Sequence, residues 1–572
     1  MESRWSFGTR VACAALNLAA LALSACSPAA TGPAPDAGCT AGATRCTNTT
    51  FERCVDGQFV TDTACPGLCD PTYGCVVCAP NSGLCDGTAA HACKPDGSGY
   101  VDDVCDGAAG EICDPQSGTC IDACAPEVLG SSYVGCDYYP TITGNLVASS
   151  YEFAIAIANT TGAPASITID GAGLASPRTL TVDGDSVRVE RLPWRADLKL
   201  CLAASQSLCL AGVQSDGALV AGGAYHVRSS VPVTIYQFNP LDYTHGPSTD
   251  YSYSNDASLL IPTNAWRRDY YVASWPHTQT NPSLLTVTAA TANTHVTITT
   301  TAATEGEVFA AGVPRTLTLD AGDVVELTSR TGDLTGTHVT SDAPVGVIGG
   351  HYCAEVPTGV QYCDHLEESM LSVDALGTTY VVNAPATFGA VDGKEEVVRI
   401  IATHDDTTLL YDPPVANAPT AIAHAGEWIE IARYAGSFLV IANHKVLVAQ
   451  YMEGEAAGGG QGDPSLAIAV PVEQFRTAYR FHAPTNYETN YLDVTAPNGA
   501  SVMLDGTALA FKPLGGTGYQ LARVTPLLSG PAHDGDHYIV STMPFGISVY
   551  GYGQYTSFWY PGGLDLHDIP VN

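Results

Sequence analysis

One strand-like segment recurs four times along the chain at intervals of about one hundred residues, and this recurrence limits the folds that the chain can adopt. The four copies lie at residues 230–236, 342–348, 444–451 and 542–550. From Gly135 onward, β-branched residues alternate with small polar ones between turn residues, which is typical of β-strands. Three of the four copies contain a proline, which predicts a strand start or an edge position.

An interval of this length holds six or seven strands, which favours one β-sandwich in each repeat and is long for a propeller blade. The sequence therefore predicts an all-β fold of about four tandem β-sandwich-like repeats. They are expected at about residues 135–245, 255–360, 370–455 and 468–556. Two arrangements stay open, either four sandwiches in a row or four β units packed into a ring.

Two small disulfide-rich modules are predicted before these repeats, at residues 39–77 and 78–123. Each contains six cysteines, and both open with the spacing C-x6-C-x7-C. The first group is Cys39, Cys46, Cys54, Cys65, Cys69 and Cys75, and the second is Cys78, Cys85, Cys93, Cys105, Cys113 and Cys120. Modules of about forty residues with few large apolar side chains need covalent staples. Six cysteines allow many pairings, so the connectivity stays open.

Zinc is the alternative to disulfides in these modules. A structural zinc site needs four converging thiolates, usually on short C-x2-C turns. Only Cys75 and Cys78 have that spacing, and they lie in different modules. Disulfides are therefore favoured. Six later cysteines form three local pairs, each expected to hold a hairpin or loop end: Cys124 with Cys136, Cys201 with Cys209, and Cys353 with Cys363.

The first residues predict export. Arg4 and Arg10 precede an uncharged apolar stretch from Val11 to Leu23, and this stretch leads into Leu23-Ser24-Ala25-Cys26. This ending resembles the lipobox of bacterial lipoproteins, which implies a signal peptide over residues 1–25 and lipidation of Cys26. By the same resemblance, a serine at position 27 favours localisation to the outer membrane. Residues 26–38 are rich in proline, alanine and glycine and are expected to form a tether. The alternative is an ordinary cleaved signal peptide.

The charge balance excludes one class of partner. The chain has 23 lysines and arginines against 58 aspartates and glutamates, a net charge of −35. Such a surface repels phosphate backbones, so nucleic acid is not an expected partner. No later apolar run approaches the length of a membrane-spanning helix, and residues 567–572 are expected to form a short tail.

Several separated motifs resemble one known family in the same order along the chain. They lie at residues 135–141, 153–159, 192–194, 223–226, 232–239, 254–262, 363–368, 376–382, 462–465 and 560–565. Residues 124–566 are similar to the IgGFc-binding protein N-terminal domain family, in the form found in cysteine-rich lipoproteins of myxobacteria and their relatives. The resemblance implies a non-enzymatic binding or adhesive module.

Catalytic motifs such as H-E-x-x-H, G-x-S-x-G and the P-loop do not occur, which predicts that the protein is not an enzyme. Asp364, His365, Glu367 and Glu368, near His351, have side chains that could hold Ca²⁺ or a transition metal. Hydrogen bonding to loop backbone and acid–base chemistry are the alternatives, and no cofactor is expected.

A second group, the aromatic residues Tyr555, Phe558, Trp559 and Tyr560, could form a sugar-stacking or protein-contact patch. Packing in the core is its alternative.

The leading hypothesis is an extracytoplasmic lipoprotein of the cell envelope, held in the outer membrane by its lipid anchor. The cysteine modules would form a stalk, and the β repeats a non-catalytic head for cell-surface or matrix contact with an unknown protein or glycan. A secreted glycan-acting hydrolase is the first alternative, and it requires two carboxylates in one cleft. A purely structural envelope protein is the second.

Overall fold

The computed structural model describes residues 38–211, 215–245, 251–457 and 461–570. The predicted signal peptide, Cys26 and nearly all of the tether lie outside the described residues. The predicted all-β fold class is confirmed, because the helices are few and short. They are α1 (Pro126–Leu129), α2 (Ala196–Lys199) and α3 (Gln206–Leu210), with 3₁₀ turns at Gly107–Ala109, Thr263–Ala265, Val373–Ala375, Glu455–Ala457 and Val472–Gln474.

The described chain forms two compact units, residues 38–82 with 92–101, and residues 83–91 with 102–570. The first unit contains a three-stranded antiparallel sheet and a hairpin. Its strands are β1 (Thr44–Thr47), β2 (Thr50–Val55), β3 (Gln58–Ala64), β4 (Leu68–Asp70) and β5 (Gly74–Val76). Phe51 is the single large apolar side chain buried among the described residues of this unit. Disulfides therefore supply most of its stability.

The two groups of six cysteines have the same connectivity. In each group the first cysteine bonds the third, the second bonds the fifth, and the fourth bonds the sixth. The bonds are Cys39–Cys54, Cys46–Cys69 and Cys65–Cys75, then Cys78–Cys93, Cys85–Cys113 and Cys105–Cys120. The second group accompanies strands β6 (Gly83–Asp86), β7 (Ala89–Cys93), β8 (Tyr100–Val104), β9 (Glu111–Cys113) and β10 (Cys120–Asp122).

Four β repeats of common strand order make up most of the second unit. Each has an opening strand, a set of antiparallel strands in two layers, a long strand and a closing strand. Repeat one contains β11 (Gly135–Tyr138), β12 (Phe153–Asn159), β13 (Ala165–Gly171), β14 (Arg178–Val182), β15 (Ser186–Leu192), β17 (Tyr225–Phe238) and β18 (Ala257–Leu259). The short β16 (Leu219–Val220) pairs with repeat two. Repeat two contains β19 (Arg267–Tyr271), β20 (Ser283–Ala289), β21 (Thr294–Thr299), β22 (Arg315–Leu319), β23 (Val324–Ser329), β24 (His338–Glu355) and β25 (Cys363–Ser369).

The third and fourth repeats follow the same order with local changes. Repeat three contains β26 (Thr379–Val382), β27 (Glu396–Ala402), β28 (Thr407–Asp412), β29 (Ala421–Ile422), β30 (Trp428–Tyr434), β31 (Phe438–Ala442), β32 (Val446–Met452) and β33 (Ser465–Ile468). Repeat four contains β34 (Arg476–His482), β35 (Thr489–Pro497), β36 (Val502–Leu504), β37 (Thr507–Ala508), β38 (Lys512–Pro513), β39 (Tyr519–Leu527), β40 (Asp536–Gly553) and β41 (Thr556–Pro561). In repeat three the long strand is divided into β31 and β32.

The long strand of each repeat belongs to both layers. The first half of β17 pairs with β13 up to Ser229, and its second half pairs with β12 from Val233. Pro232 lies between these two ladders. Pro344 and Pro544 lie at the same change of partner in β24 and β40. The prolines are thus inside long strands, at a corner where a missing N–H breaks no ladder, and not at a strand start, which was one of the two positions predicted from the sequence.

A buried tyrosine of the opening strand ties it to this corner in all four repeats. Its hydroxyl donates to a carbonyl at the start of the second half of the long strand. The pairs are Tyr138 with Val233, Tyr270 with Val345, Tyr380 with Val446, and Tyr479 with Phe545. In repeats two to four the same hydroxyl accepts the N–H of the residue three positions earlier. One side chain thus satisfies two buried backbone groups.

Replacing Tyr380 by phenylalanine should therefore destabilise the protein by about 1–3 kcal/mol, because the Gly377 N–H and the Val446 carbonyl lose their partner in the core. Urea unfolding measures the change. Tyr538→Phe removes a hydroxyl from a tyrosine that is 45% exposed and is the control. An equal loss of stability in both variants would contradict the assigned role of the Tyr380 hydroxyl.

The four closing strands contact one another in the order β18, β25, β33, β41 and back to β18. Each of them pairs its backbone with the long strand of its own repeat. The repeats are therefore packed in a ring around the closing strands, which is one of the two arrangements that the sequence left open.

Two buried carboxylates cross the axis of this ring. Asp256, just before β18, accepts hydrogen bonds from the Ser465 hydroxyl (2.6 Å) and the Leu466 N–H (3.2 Å) of repeat three. Asp364, in β25, accepts from the Thr556 hydroxyl at 3.0 Å and from the Ser557 N–H of repeat four. Each acid thus joins its repeat to the repeat on the opposite side.

Candidate functional site

A pocket of about 400 Å³ opens where the segments that precede the closing strands meet. Tyr253, Tyr362, Asp463 and Tyr555 each contribute to its lining from one of the four repeats, and we call it the axial pocket. Its lining residues are Leu146, Ser207, Tyr253, Tyr362, Cys363, Asp463 and Tyr555. Since every repeat contributes at least one lining residue, the pocket is formed by the closure of the ring.

Three tyrosine rings give the pocket aromatic walls. The rings of Tyr253 and Tyr555 are stacked with their centroids 5.2 Å apart, and Tyr251 packs edge-on against both. Tyr253 is 39% exposed and Tyr362 is 58% exposed. Tyr253 and Tyr555 have φ angles of 55° and 64°. A bulky residue in the left-handed region costs about 1–3 kcal/mol, and such residues concentrate at functional sites.

Two local disulfides support the walls. The Cys353–Cys363 bond fixes the residue that follows Tyr362, and the Cys201–Cys209 bond closes the segment that carries Ser207. Leu146 is buried in one apolar cluster with these sulfurs. The third local disulfide joins Cys124 to Cys136 at the opening strand of repeat one. Two of the three pairs proposed from the sequence thus lie at the axial pocket.

Asp463 supplies the carboxylate of the axial pocket. Its side chain is only 1% exposed, and its Oδ1 accepts the Glu455 N–H at 3.2 Å. Its Oδ2 has no hydrogen-bond donor within the part of the chain that the structure describes. Burial raises the pKa of Asp463 to about 6, so the group is mostly ionised at pH 7. The nearby ammonium of Lys394 donates to the Gly462 carbonyl at 3.3 Å.

The four predicted metal ligands of β25 do not come together. Side chains alternate along a strand, so Asp364 and Glu368 face away from His365 and Glu367. Glu368 accepts from Ser258, whereas His365 and Glu367 both contact Thr143 and Asn239. All four are buried. Among the described residues, no group of three or more His, Cys, Asp and Glu side chains has a geometry suited to a metal ion.

His351 also lies in this buried network. Its Nδ1 accepts the Cys353 N–H, and its carbonyl lies 2.9 Å from His365 Nδ1. Burial lowers the pKa of His351 to about 3, which keeps its ring neutral at physiological pH. The polar groups selected from the sequence are thus buried and hydrogen-bonded to other protein groups, whereas His351 Nε2, Glu367 Oε1 and Glu368 Oε2 have no partner among the described residues.

The predicted aromatic patch is also divided. Phe558, Trp559 and Tyr560 are buried, and Tyr555 alone lines the axial pocket. Tyr253 and Tyr362 were missed at the sequence level, and Asp463 entered only as part of a family motif. Their common position, just before each closing strand, is the signal that could have found them once the repeats were aligned.

Lys199 is buried close to Leu146 and binds the backbone on the carboxyl side of that residue. Its ammonium is fully buried, donates to the carbonyls of Val147 and Cys201, and lies 4.8 Å from the Trp194 ring centroid. No acidic side chain forms an ion pair with it among the described residues. Burial lowers the pKa of Lys199 to about 7.

The contribution of Lys199 to the stability of the protein should therefore rise with pH above 7. Between pH 7 and about 10 the unfolded chain keeps the Lys199 proton that the folded chain has lost, which gives a slope of up to about 1.4 kcal/mol per pH unit. Relative to Lys199→Met, the natural protein should gain about 2 kcal/mol in the free energy of unfolding between pH 7 and pH 9. Urea unfolding of both proteins at the two pH values tests this, and parallel pH profiles would contradict it.

A family model described as IgGFc binding protein matches residues 256–551, more than half of the chain. The chain belongs to the IgGFc-binding protein family. The human IgGFc-binding protein is 28% identical over 262 residues, which cover 45% of this chain and 5% of the human protein. The chain thus spans about one twentieth of this relative's length.

The matched region of the IgGFc-binding protein family begins at Asp256 and ends inside β40, so it contains the closing strand of repeat one, repeats two and three, and repeat four without its closing strand β41. The rest of repeat one lies outside the match although its strand order is the same. The family predicted from the sequence is confirmed over residues 256–551.

Nine disulfides join the described cysteines, which is typical of an extracellular or secreted protein. Among the described residues, the helices are too short or too polar to span a bilayer.

Proposed function

We propose that this protein is a non-catalytic binding protein of the cell envelope whose ring of four repeats recognises another protein. The axial pocket carries this proposal, because residues from all four repeats line one open, aromatic cavity. The human relative is named for binding IgG Fc, and we carry over from that name only that the partner is a protein.

The pocket chemistry favours binding over glycan hydrolysis. Glycosidases of either stereochemistry use two carboxylates that flank the scissile bond. Among the described residues, Asp463 is the single carboxylate in the pocket lining, and Asp364 is engaged by Thr556 and Ser557. We accordingly propose that the head works without a catalytic residue and without a resident cofactor.

The anchor completes the proposal. Cys26 would be lipidated in the outer membrane, as in a myxobacterial-type lipoprotein, and residues 27–38 would be the tether. The two cysteine modules would then form a disulfide-bonded stalk, since both groups of six cysteines have the same disulfide connectivity. The net charge of −35 would direct the head toward basic protein surfaces and away from nucleic acid.

Immobilised protein should retain a partner from envelope or matrix fractions of its source cells. Tyr362→Leu, at a ring that is 58% exposed, should lower the retained amount at least fivefold. Tyr538→Leu is the matched control outside the axial pocket, and it should leave retention unchanged. Release of reducing sugars would support the hydrolase instead. Failure to retain any protein, with an envelope defect on gene deletion, would support a purely structural role.

Cells grown with an alkyne-bearing fatty acid should incorporate the label into this protein at Cys26. Cys26→Ser should abolish labelling and leave the protein out of the membrane fraction, because an acyl chain contributes about 0.8 kcal/mol per buried CH₂. Cys13→Ser removes a thiol within the signal peptide and should leave labelling intact. Label that persists in Cys26→Ser would overturn the assigned anchor.

A further inference from the structure

We propose that the axial pocket takes the side chain of a lysine from the partner protein, with its ammonium between the tyrosine rings and the carboxylate of Asp463. This inference rests on the proposed binding function and names the group that the head recognises. It follows from four properties of the pocket: its aromatic walls, the carboxylate of Asp463, its apolar lining and its surrounding charge.

The aromatic walls favour a cation. Tyr253 and Tyr362 are partly exposed and Tyr555 stacks on Tyr253, so ring surface is available to a ligand. The face of an aromatic ring carries negative potential and attracts an ammonium group within about 6 Å of its centroid. Tyr251 packs behind Tyr253 and Tyr555, and this holds both rings in place without a ligand.

The carboxylate distinguishes lysine from arginine. A guanidinium prefers two parallel hydrogen bonds to both oxygens of a carboxylate. Oδ1 of Asp463 is already engaged by the Glu455 N–H, which leaves Oδ2 for a ligand. One free oxygen suits the compact, single-point charge of an ammonium.

The lining favours a long apolar stem over a sugar. Leu146, the disulfide at Cys363 and three tyrosine rings form most of the wall, with Ser207 and Asp463 as its other polar side chains. A sugar presents hydroxyls in several directions, and this lining would leave most of them without partners. A lysine buries four methylenes and presents one charge at its end.

The surrounding charge is negative. Asp463, Glu453 and Glu455 lie near one another and near Lys394, which is bound to the Gly462 carbonyl and lies over the Tyr552 ring. Arg433 pairs with Glu453 and also donates to the Ala457 carbonyl. Together with the net charge of −35, this arrangement steers basic partners toward the pocket.

The test uses the purified full-length protein in detergent and calorimetric titration with small probes. Nα-acetyl-lysine methylamide should bind with a Kd of about 1 mM, as befits one side chain in one pocket. The norleucine analogue has a similar stem without the ammonium and should bind at least tenfold more weakly. Tyr362→Leu and Asp463→Asn should each raise the Kd of the lysine probe at least fivefold, whereas Tyr538→Leu should leave it unchanged.

Three results would overturn the proposal. Equal binding of the lysine and norleucine probes would indicate a purely apolar pocket. Tighter binding of choline than of the lysine probe would indicate a lipid headgroup, and tighter binding of methyl β-glucoside would indicate a glycan. Tyr362 is exposed, so its variant tests the pocket even if Asp463→Asn fails to fold.

One further arm separates this inference from the proposed function. Acetylating the lysines of the envelope fraction removes their charge and should abolish retention of the partner. Retention that survives acetylation would refute the lysine inference and leave the binding function standing. Binding of the lysine probe without any retained partner would support a lysine pocket and refute the proposed binding function.

Discussion

The ring depends on the carboxylates that cross its axis. The closing strands have no backbone ladder with one another in the described structure, so Asp256 and Asp364 supply the hydrogen bonds that join opposite repeats. Burial raises the pKa of both acids, which reflects the cost of placing charge at the centre of the protein. Backbone N–H and hydroxyl donors offset that cost, and because some of these donors come from other repeats, the acids have their full set of partners only in the closed ring.

Contacts at the seams between repeats then complete the ring. Between repeats two and three, the Arg399 guanidinium lies between the rings of Trp275 and Trp428, 4.2 and 4.1 Å from their centroids. It also donates to Asp333 and Glu430. The orientation of a buried arginine that has two stacking partners and two carboxylate partners is far more restricted than that of an arginine in an exposed ion pair. Repeats two and three therefore pack in one geometry at this seam. Fixed seams in turn hold the pocket tyrosines, which belong to different repeats.

Much of the fold could be predicted from the sequence, because strand alternation and turn residues are local signals. The recurrent strand around Val233 and the opening tyrosines at Tyr270, Tyr380 and Tyr479 mark the corners that the structure contains. The ring could not be predicted, since closure depends on contacts between residues such as Asp256 and Leu466, far apart in the chain. The site was missed for a related reason: Tyr253, Tyr362 and Asp463 are not of one residue type and have no common motif, and their shared position before a closing strand is visible only once the repeats are aligned.

Ring closure also fixes the copy number of the repeats. A solenoid can gain or lose units because each contacts only its neighbours. Here Asp256 reaches the third repeat and Asp364 the fourth, so each central acid has some of its donors two units along the chain. Duplicating or deleting a unit would move those donors away from both acids at once. The number of units in this chain is therefore set by the central acids, and not only by contacts between neighbouring repeats.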